Sequence, residues 1–361
     1  ENIAEAALPE AQTRALAVRM AASCGRRLDD ACPVVDATLP DGTRLNAVLP
    51  PLSADGTLIC LRTKRRSAFT LGQLVEAGTV APGLDSVLAA LIETRASCLI
   101  TGATGTGKTT LLAALLGLVS ATERIVCIEE AAELRPDHPH VLHLQERGDN
   151  VQGAGAVPMS ALVRTALRMR PDRIVLGECR GPEVRDVLTA LNTGHEGGWA
   201  TLHANSPADV PARLTALGAL AGLDETAVAA QAVSALDAVI HLRRSGATGG
   251  GIAGRRSPRE GTAERSSTRG SDGPDSCASP EQDVMSSRSS RTRRYVSGIG
   301  MLRRGAQGSL VCEDALIVAL DGAAGTVCAV SAGPAVDRLA ERIGAAPVAA
   351  AMKGGTSWTP L

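Results

Sequence analysis

Residues 102–110 read Gly-Ala-Thr-Gly-Thr-Gly-Lys-Thr-Thr, and this segment restricts the fold more than any other part of the chain. It fits the pattern G-x-x-x-x-G-K-[ST], follows the apolar stretch 97–100 and leads into the helix-forming stretch 111–116. Glycines in such a loop let backbone N–H groups face an anion, and the next helix turns the positive end of its dipole toward that anion. A strand, this loop and a helix in succession predict a phosphate-binding loop.

The residues of this loop have different expected roles. The ammonium group of Lys108 can bridge the β- and γ-phosphates of a nucleotide, and the Thr109 hydroxyl can bind Mg²⁺. The predicted nucleotide-binding residues are Gly102, Ala103, Thr104, Gly105, Thr106, Gly107, Lys108, Thr109 and Thr110. The alternative, a Gly-rich turn that arose by chance, is disfavoured by the flanking strand and helix.

Upstream of the loop, the pattern predicts a small α+β unit. Scattered aliphatic residues among Ala and Arg over residues 10–24 are typical of an amphipathic helix. The Asp41-Gly42 pair stands between two strand patterns and is a strong hairpin signal. The strands expected in this unit are 33–39, 43–49 and 57–62.

From about residue 80, apolar strand patterns alternate with Ala- and Leu-rich helical stretches. The strands expected here are 97–101, 124–128, 173–176 and 238–242. Such alternation implies crossover connections and a mostly parallel sheet. The predicted fold class is therefore α/β, a P-loop domain preceded by a smaller N-terminal α+β domain.

One segment differs in composition from the rest of the chain. Residues 245–294 are rich in Ser, Arg and Gly and poor in large aliphatic residues, so we expect a disordered insertion. Two further strands are expected after it, and then an Ala-rich tail that is helical in pattern. The predicted units are 1–79, 80–244, 245–294, 295–320 and 321–361.

Composition narrows the possible functions. Lys and Arg number 37 against 38 Asp and Glu, so no overall charge favours a polyanionic partner. Only 1% of residues are aromatic, too few for a base-stacking groove, and we expect no direct nucleic-acid binding. The nine cysteines have no C-x-x-C spacing, which suits a reducing compartment. Without an initiator Met at Glu1, the chain is expected to be a fragment of a longer protein.

Carboxylates stand at the ends of two predicted strands. Glu129 and Glu130 end one strand, with Glu133 three residues later, and Glu178 ends the β-branched run 173–178. Parallel α/β sheets bind ligands at the carboxyl ends of their strands. Glu129 and Glu178 are therefore candidates for holding Mg²⁺, directly or through water, although solvated strand ends remain the alternative.

Two histidines flank a Gly-rich turn and strand beyond Glu178. His195 and His203 delimit the segment H-E-G-G-W-A-T-L-H, which suggests a sensor of the γ-phosphate. A second group follows the spacing H-x-H-x-x-H at His138, His140 and His143. These three stand in a Pro-containing loop with no Cys nearby, so a zinc site is disfavoured.

Four segments in order resemble the type II/IV secretion ATPase superfamily. They are the Walker-A loop, I-E-E-x-x-E-L at 128–134, R-P-D-R-I-V-L-G-E-C-R-G at 170–181 and the box T-G-H-E-G-G…T-L-H-A-N-S-P at 193–207. The branch that the chain resembles is that of tight-adherence pilus and conjugal-transfer ATPases. The resemblance implies a RecA-like ATPase domain, hydrolysis of ATP with Mg²⁺, and a homohexamer. It also implies inner-membrane platform proteins as partners and a cytoplasmic location at the inner face of the bacterial cell membrane.

The resemblance also assigns roles to residues. It makes Glu178 the catalytic glutamate of the Walker-B strand, gives Glu129 a part in positioning water or Mg²⁺, and makes His203, with His195, report on the γ-phosphate. Arginines of the N-terminal domain close over the nucleotide in this family, and the candidates here are Arg62 and Arg65.

The sequence departs from the family pattern at its acidic box, where Glu129-Glu130 stands in place of Glu-Asp. Two other functions stay open at this point. One is a nucleic-acid motor with the same core, which DNA-stimulated hydrolysis would reveal. The other is a nucleotide switch without turnover, which steady-state phosphate release would distinguish.

Overall fold

The computed structural model describes residues 8–63, 68–147, 155–245, 293–320 and 327–354. Its N-terminal part is a three-stranded antiparallel sheet with one helix packed on it. The elements are α1 (Glu10–Ser23), β1 (Val34–Thr38), β2 (Arg44–Val48) and β3 (Leu58–Arg62). Gly42 takes a positive φ of 85° and the Asp41 carboxylate accepts a hydrogen bond from the Thr43 N–H, so the predicted hairpin turn is present.

The next part of the chain alternates helices and strands as predicted. Its elements are α2 (Leu71–Glu76), α3 (Leu84–Glu93), β4 (Cys98–Thr101), α4 (Lys108–Leu116), β5 (Ile125–Glu129), β6 (Val141–Gln145), α5 (Met159–Ala166), β7 (Arg173–Cys179), α6 (Glu183–Asn192), β8 (Trp199–Leu202), α7 (Val210–Leu220), α8 (Glu225–Ala235) and β9 (Ala238–Arg244). The strands β4 to β9 are parallel, in the order β9-β4-β8-β7-β5-β6. The predicted α/β class is confirmed.

The C-terminal part continues the same sheet with antiparallel strands. It contains β10 (Arg294–Arg304), β11 (Leu310–Leu320), β12 (Val327–Ala332), α9 (Val336–Ile343) and α10 (Ala345–Gly354). The order β12-β11-β10-β9 joins these strands to the parallel ones, giving nine strands among the described residues. Helix α10 packs on α3 so closely that a Cβ at Gly83 would lie 2.6 Å from the Ala350 carbonyl oxygen. The described parts of the units predicted at 295–320 and 321–361 thus pack into the same core as the parallel strands.

Both faces of the large sheet are covered by helices. Along β4, Cys98 and Ile100 point to the face that packs α3 and α4, whereas Leu99 points to the face that packs α6 and α8. Alternate residues of a strand face opposite sides, so each strand contributes to two apolar layers. The helices leave the carboxyl ends of the parallel strands exposed, and the candidate site lies at these strand ends.

Most of the predicted insertion lies outside the described residues, but its two ends are visible. The Ser245 N–H donates to the Arg293 carbonyl at 2.8 Å, and the Arg293 N–H donates to Ser245 Oγ at 3.0 Å. Ser245 and Arg293, which flank residues 246–292, therefore lie side by side at the ends of β9 and β10. Strand β10 begins at Arg294, so the described sheet reaches slightly into the predicted segment 245–294.

Across the described ranges, no helix has the length and hydrophobicity needed to span a bilayer.

Candidate functional site

The predicted phosphate-binding loop connects β4 to α4. Helix α4 starts at Lys108, directly after Gly107 with a positive φ of 99°, a conformation that favours glycine. A Cβ at Gly102 would lie 2.6 Å from the Leu242 carbonyl oxygen, so the loop runs against β9 where only glycine fits. The N–H groups at the start of α4 therefore point into a concave loop, the arrangement that binds phosphate.

The ammonium group of Lys108 is hydrogen-bonded to the backbone of the phosphate-binding loop. Its Nζ donates to the carbonyl oxygens of Gly102 at 3.0 Å and Ala103 at 3.3 Å, and it lies 3.4 Å from His203 Nε2. Burial lowers the pKa of Lys108, while the negative charge of Glu178 raises it and partly opposes that effect. A cation whose hydrogen bonds, within the described residues, go to loop carbonyls is suited to exchange these contacts for phosphate oxygens.

A series of close polar contacts runs from the loop to the predicted catalytic carboxylate. His203 Nε2 lies 2.8 Å from Glu178 Oε1, and His203 Nδ1 lies 3.5 Å from Thr104 Oγ1. Burial lowers the pKa of His203, and the positive charge of Lys108 lowers it further. Both effects favour the neutral imidazole, whose Nε2 lies between the Lys108 ammonium group and the Glu178 carboxylate.

The second predicted carboxylate, Glu129, is buried at the end of β5. Its Oε1 accepts hydrogen bonds from the backbone N–H groups of Glu133 and Leu134, both at 2.9 Å. Its Oε2 is buried and meets no hydrogen-bonding partner among the described residues. Gly177, which directly precedes Glu178, makes room for this side chain, because a Cβ there would lie 2.6 Å from Glu129 Cγ.

Arg180 connects two carboxylates, and our sequence-based prediction did not include it. Its guanidinium group contacts Glu178 at 2.7 and 2.8 Å and Glu130 at 2.6 Å. The longer Glu at position 130 thus reaches a cation that directly follows the neighbouring strand β7. Strand periodicity does not reveal this contact, because Arg180 lies just beyond the end of β7.

The N-terminal sheet contributes arginines to the same cavity. Arg62 Nη2 lies 3.2 Å from Glu133 Oε2, and Arg44 Nη1 lies 3.9 Å from Glu133 Oε1. Both arginines line the cavity, which measures about 430 Å³, together with residues of the loop and of β5 and β7. Arg65 lies outside the described residues. The sequence offered no sign of Arg44, because its position depends on how the two sheets pack.

The structure separates the two histidines that we predicted as a pair. His203 follows β8 at the carboxyl edge of the sheet, beside the loop, whereas His195 precedes β8 and therefore lies toward the opposite edge. The expectation that His195 senses the γ-phosphate is therefore not supported by this placement. The segment between them spans the sheet, so nearness in sequence did not produce nearness in space.

The three histidines after β5 do not form a metal site. His138 contacts the Ser120 carbonyl oxygen, His140 accepts a hydrogen bond from Arg124, and His143 faces Glu129 at 3.9 Å. In the described ranges, no group of three or more His, Cys, Asp or Glu side chains is arranged to hold a metal.

The residues present fit a nucleotide and a divalent cation. Glycine-lined space, the N-terminus of α4 and Lys108 provide an anion site, and Thr109 and Thr110 line the same cavity. The unpartnered Glu129 Oε2 supplies an anionic oxygen of the kind that Mg²⁺ prefers, directly or through water.

A parallel sheet, a Walker-A loop and carboxylates at the neighbouring strand ends define a RecA-like P-loop protein of the α/β class. More particularly, the chain belongs to the type II/IV secretion system protein family, whose model matches residues 3–286. Secretion and pilus ATPases make up this family.

Several relatives carry names from transfer and secretion systems. The "Putative conjugal transfer protein Rv3659c" of Mycobacterium tuberculosis is 52% identical over 241 residues, which is 65% of this chain and 68% of that protein. Type IV secretion system protein PtlH of Bordetella pertussis is 37% identical over 56% of this chain and 66% of its own length. Conjugal transfer protein TrbB of Rhizobium radiobacter is 32% identical over 60% and 66%, respectively.

Two solved structures are similar at lower identity. The VirB11 ATPase of the Brucella suis type IV secretion system, in complex with sulphate, has a TM-score of 0.38 and 25% identity over 63% of this chain and 74% of that chain. The pilus retraction motor PilT with bound ADP has a TM-score of 0.44 and 24% identity over 58% of each chain.

Proposed function

We propose that this protein hydrolyses ATP and uses the energy to drive conjugal transfer, protein secretion or pilus assembly. The observation that carries the proposal is the contact of Lys108, His203 and Glu178 at the mouth of the phosphate loop. A phosphate-binding cation and a carboxylate that can orient the attacking water, brought into one cavity, are groups that γ-phosphate hydrolysis uses. Family membership supports the class of reaction.

The phosphate-binding loop is the part of the site proposed to bind the nucleotide. We infer that the N–H groups at the start of α4 and the ammonium group of Lys108 hold the phosphates, with Gly102, Ala103, Thr104, Gly105, Thr106 and Gly107 shaping the cradle and Thr110 lining it. When bound, Mg²⁺ neutralises the charge of the phosphates, and Thr109, Glu129 and Glu178 are the residues that would hold it.

We assign to Glu178 the role of general base in ATP hydrolysis, in which it positions the attacking water and accepts its proton. Arg180 and His203 both contact this carboxylate, so they fix its orientation. The Arg180 guanidinium group donates a hydrogen bond to Glu178 Oε2 at 2.8 Å, which restricts rotation of the carboxylate. The two residues are therefore proposed as positioning residues.

Arg62, on the N-terminal sheet, could couple nucleotide binding to a movement of that sheet. Glu133 holds Arg62 at the rim of the cavity. We propose that a nucleotide draws Arg62 away from Glu133 to neutralise charge that develops during hydrolysis. Arg65 remains a second candidate from the sequence for this role.

A hexameric ring at the inner face of the bacterial cell membrane, working with platform proteins, is the proposed setting. The names of the relatives, which include type IV secretion and conjugal transfer proteins, support it. No nucleic-acid contact is part of the proposal.

The test of nucleotide binding is Lys108→Ala. We expect the variant to lose most affinity for Mg-ATP, because the buried ammonium group is the cation nearest the loop carbonyls. Titration with a fluorescent ATP analogue measures the Kd, and Lys353→Ala, at the end of α10, is the matched control. Equal affinity in wild type and Lys108→Ala would contradict the site assignment.

A further inference from the structure

Two arginines that we did not predict as site residues lie beside the phosphate loop. Arg244 ends β9, Arg294 begins β10, and the two are direct partners in the antiparallel ladder. A Cβ at Gly105 would lie 3.7 Å from Arg244 Nη1, and a Cβ at Gly107 would lie 3.8 Å from Arg294 Cδ. Arg294 also lines the cavity described above. The base of the β9–β10 hairpin therefore rests on the glycine turn of the loop.

The pairing of these two arginines is unfavourable unless an anion accompanies it. Like charges directly opposite each other destabilise an antiparallel strand pair. Both side chains are exposed, and neither has a hydrogen bond or ion pair within the part of the chain that the structure describes. Arg303, farther along the same strand, is by contrast paired with Glu313. Two arginine side chains without a described partner beside a phosphate loop are placed to meet an anion that the loop binds.

We propose that Arg294, together with Arg244, binds the phosphate chain of the nucleotide. The inference rests on the proposed function and adds a second source of positive charge to that site. A planar guanidinium group can donate two hydrogen bonds to phosphate oxygens, a geometry that an ammonium group lacks.

The position of Arg294 predicts that this residue affects nucleotide affinity and not turnover at saturation. It belongs to the strand beside β9, within the same sheet as the loop, and reaches the loop without any movement of the N-terminal sheet. Its contact is therefore made in the ground state, with ATP and with ADP alike. Removing such a contact weakens binding and leaves turnover at saturation nearly unchanged.

The experiment compares nucleotide affinity in the full chain for wild type, Arg294→Ala, Arg294→Lys and Arg304→Ala. Arg304 is the matched control, because it is an exposed arginine at the far end of the same strand. We expect Arg294→Ala to raise the Kd for fluorescently labelled ADP about three- to tenfold, and the Kd for ATP by a similar factor. Arg294→Lys should fall between wild type and Arg294→Ala, and Arg304→Ala should match wild type.

A second readout separates ligand binding from a structural role. Arg294→Ala relieves the like-charge pair, so the Tm of the nucleotide-free protein should not fall, while the increase in Tm on adding ADP should shrink. A Kd for Arg294→Ala within twofold of the Arg304→Ala value would overturn the inference. If Lys108→Ala loses binding in the same assay, the proposed function survives that result. A wild-type protein that binds no nucleotide would overturn both.

Discussion

At the scale of single residues, Gly177 determines whether the buried carboxylate can occupy its place. Glu129 is fixed by two backbone N–H groups, and its side chain crosses the position that a Cβ at residue 177 would take. The pair Gly177-Glu178 therefore does two things at once. It leaves space for one carboxylate and presents another.

We predict that Gly177→Ala lowers both stability and hydrolysis. The added methyl group would lie 2.6 Å from Glu129 Cγ, so Glu129 must move, and overpacking of this kind costs about 1–3 kcal/mol. Thermal unfolding and phosphate release measure the two effects. Gly72→Ala is the control, because its Cβ would meet only Thr70 Oγ1 at 3.9 Å. An unchanged Tm for Gly177→Ala would contradict this account of the site.

Some site residues were predictable and others were not, for a physical reason. Lys108 and Glu178 stand in segments whose local pattern fixes a loop after a strand or the end of a strand. Arg44 and Arg62 reach the cavity through the packing of one sheet against another, which no local spacing encodes. Arg62 was proposed only from a family resemblance, and Arg44 was missed.

At the scale of elements, the contact between β4 and β9 holds a buried histidine behind the phosphate loop. His241 Nδ1 lies 2.8 Å from Thr101 Oγ1, the last residue of β4. Burial lowers the pKa of His241 to about 4, and the positive charge of Arg243 contributes. The neutral imidazole thus fastens the loop strand to its neighbour.

We predict that the free energy of unfolding falls as the pH is lowered from about 6.5 to about 4. The folded-state pKa of His241 lies below the unfolded value, so the unfolded chain binds more protons in this window and is favoured there. The contribution of this residue is present above pH 6.5 and amounts to about 3 kcal/mol. Urea unfolding at several pH values should give a shallower decline for His241→Gln than for wild type. Equal slopes would rule out this role for His241.

The element pattern explains where sequence-based prediction stopped. The hairpin of β1 and β2 and the strands β4, β5, β7 and β9 are marked by turn residues or by continuous apolar runs. Strand β6 is largely exposed and lacks such a run, so it was not predicted. That β10 and β11 extend the parallel sheet by antiparallel pairing depends on long-range contacts, which a strand pattern does not reveal.

At the scale of the whole molecule, the proposed ring makes hydrolysis depend on assembly and on the N-terminal arginines. We predict that Arg62→Ala lowers kcat more than it raises KM, because a cation that acts in the transition state contributes little to ground-state binding. Arg27→Ala, which removes an exposed arginine of the same unit that is paired with Asp29, is the control.

Hydrolysis per subunit should also rise with protein concentration. Rates that stay flat from well below to well above the assembly range would contradict the ring-dependent mechanism.

The insertion should be dispensable for the core. We predict that replacing residues 246–292 by a short Gly/Ser linker leaves the ATP affinity nearly unchanged and shifts the Tm by no more than about 2–4 °C. The ends to be joined, Ser245 and Arg293, are already hydrogen-bonded to each other. Differential scanning calorimetry and nucleotide titration test this, with wild type as reference. A much larger fall in Tm would show that the segment packs against the core.

The central claim is that Glu178 converts bound ATP to ADP and phosphate. The most direct test measures steady-state phosphate release and ATP affinity for wild type and Glu178→Gln in the presence of Mg²⁺. The account predicts sustained release by wild type, and a variant that binds ATP with similar affinity but turns over at least about a hundredfold more slowly. Wild-type protein that binds ATP without releasing phosphate, or a Glu178→Gln variant with undiminished turnover, would contradict it.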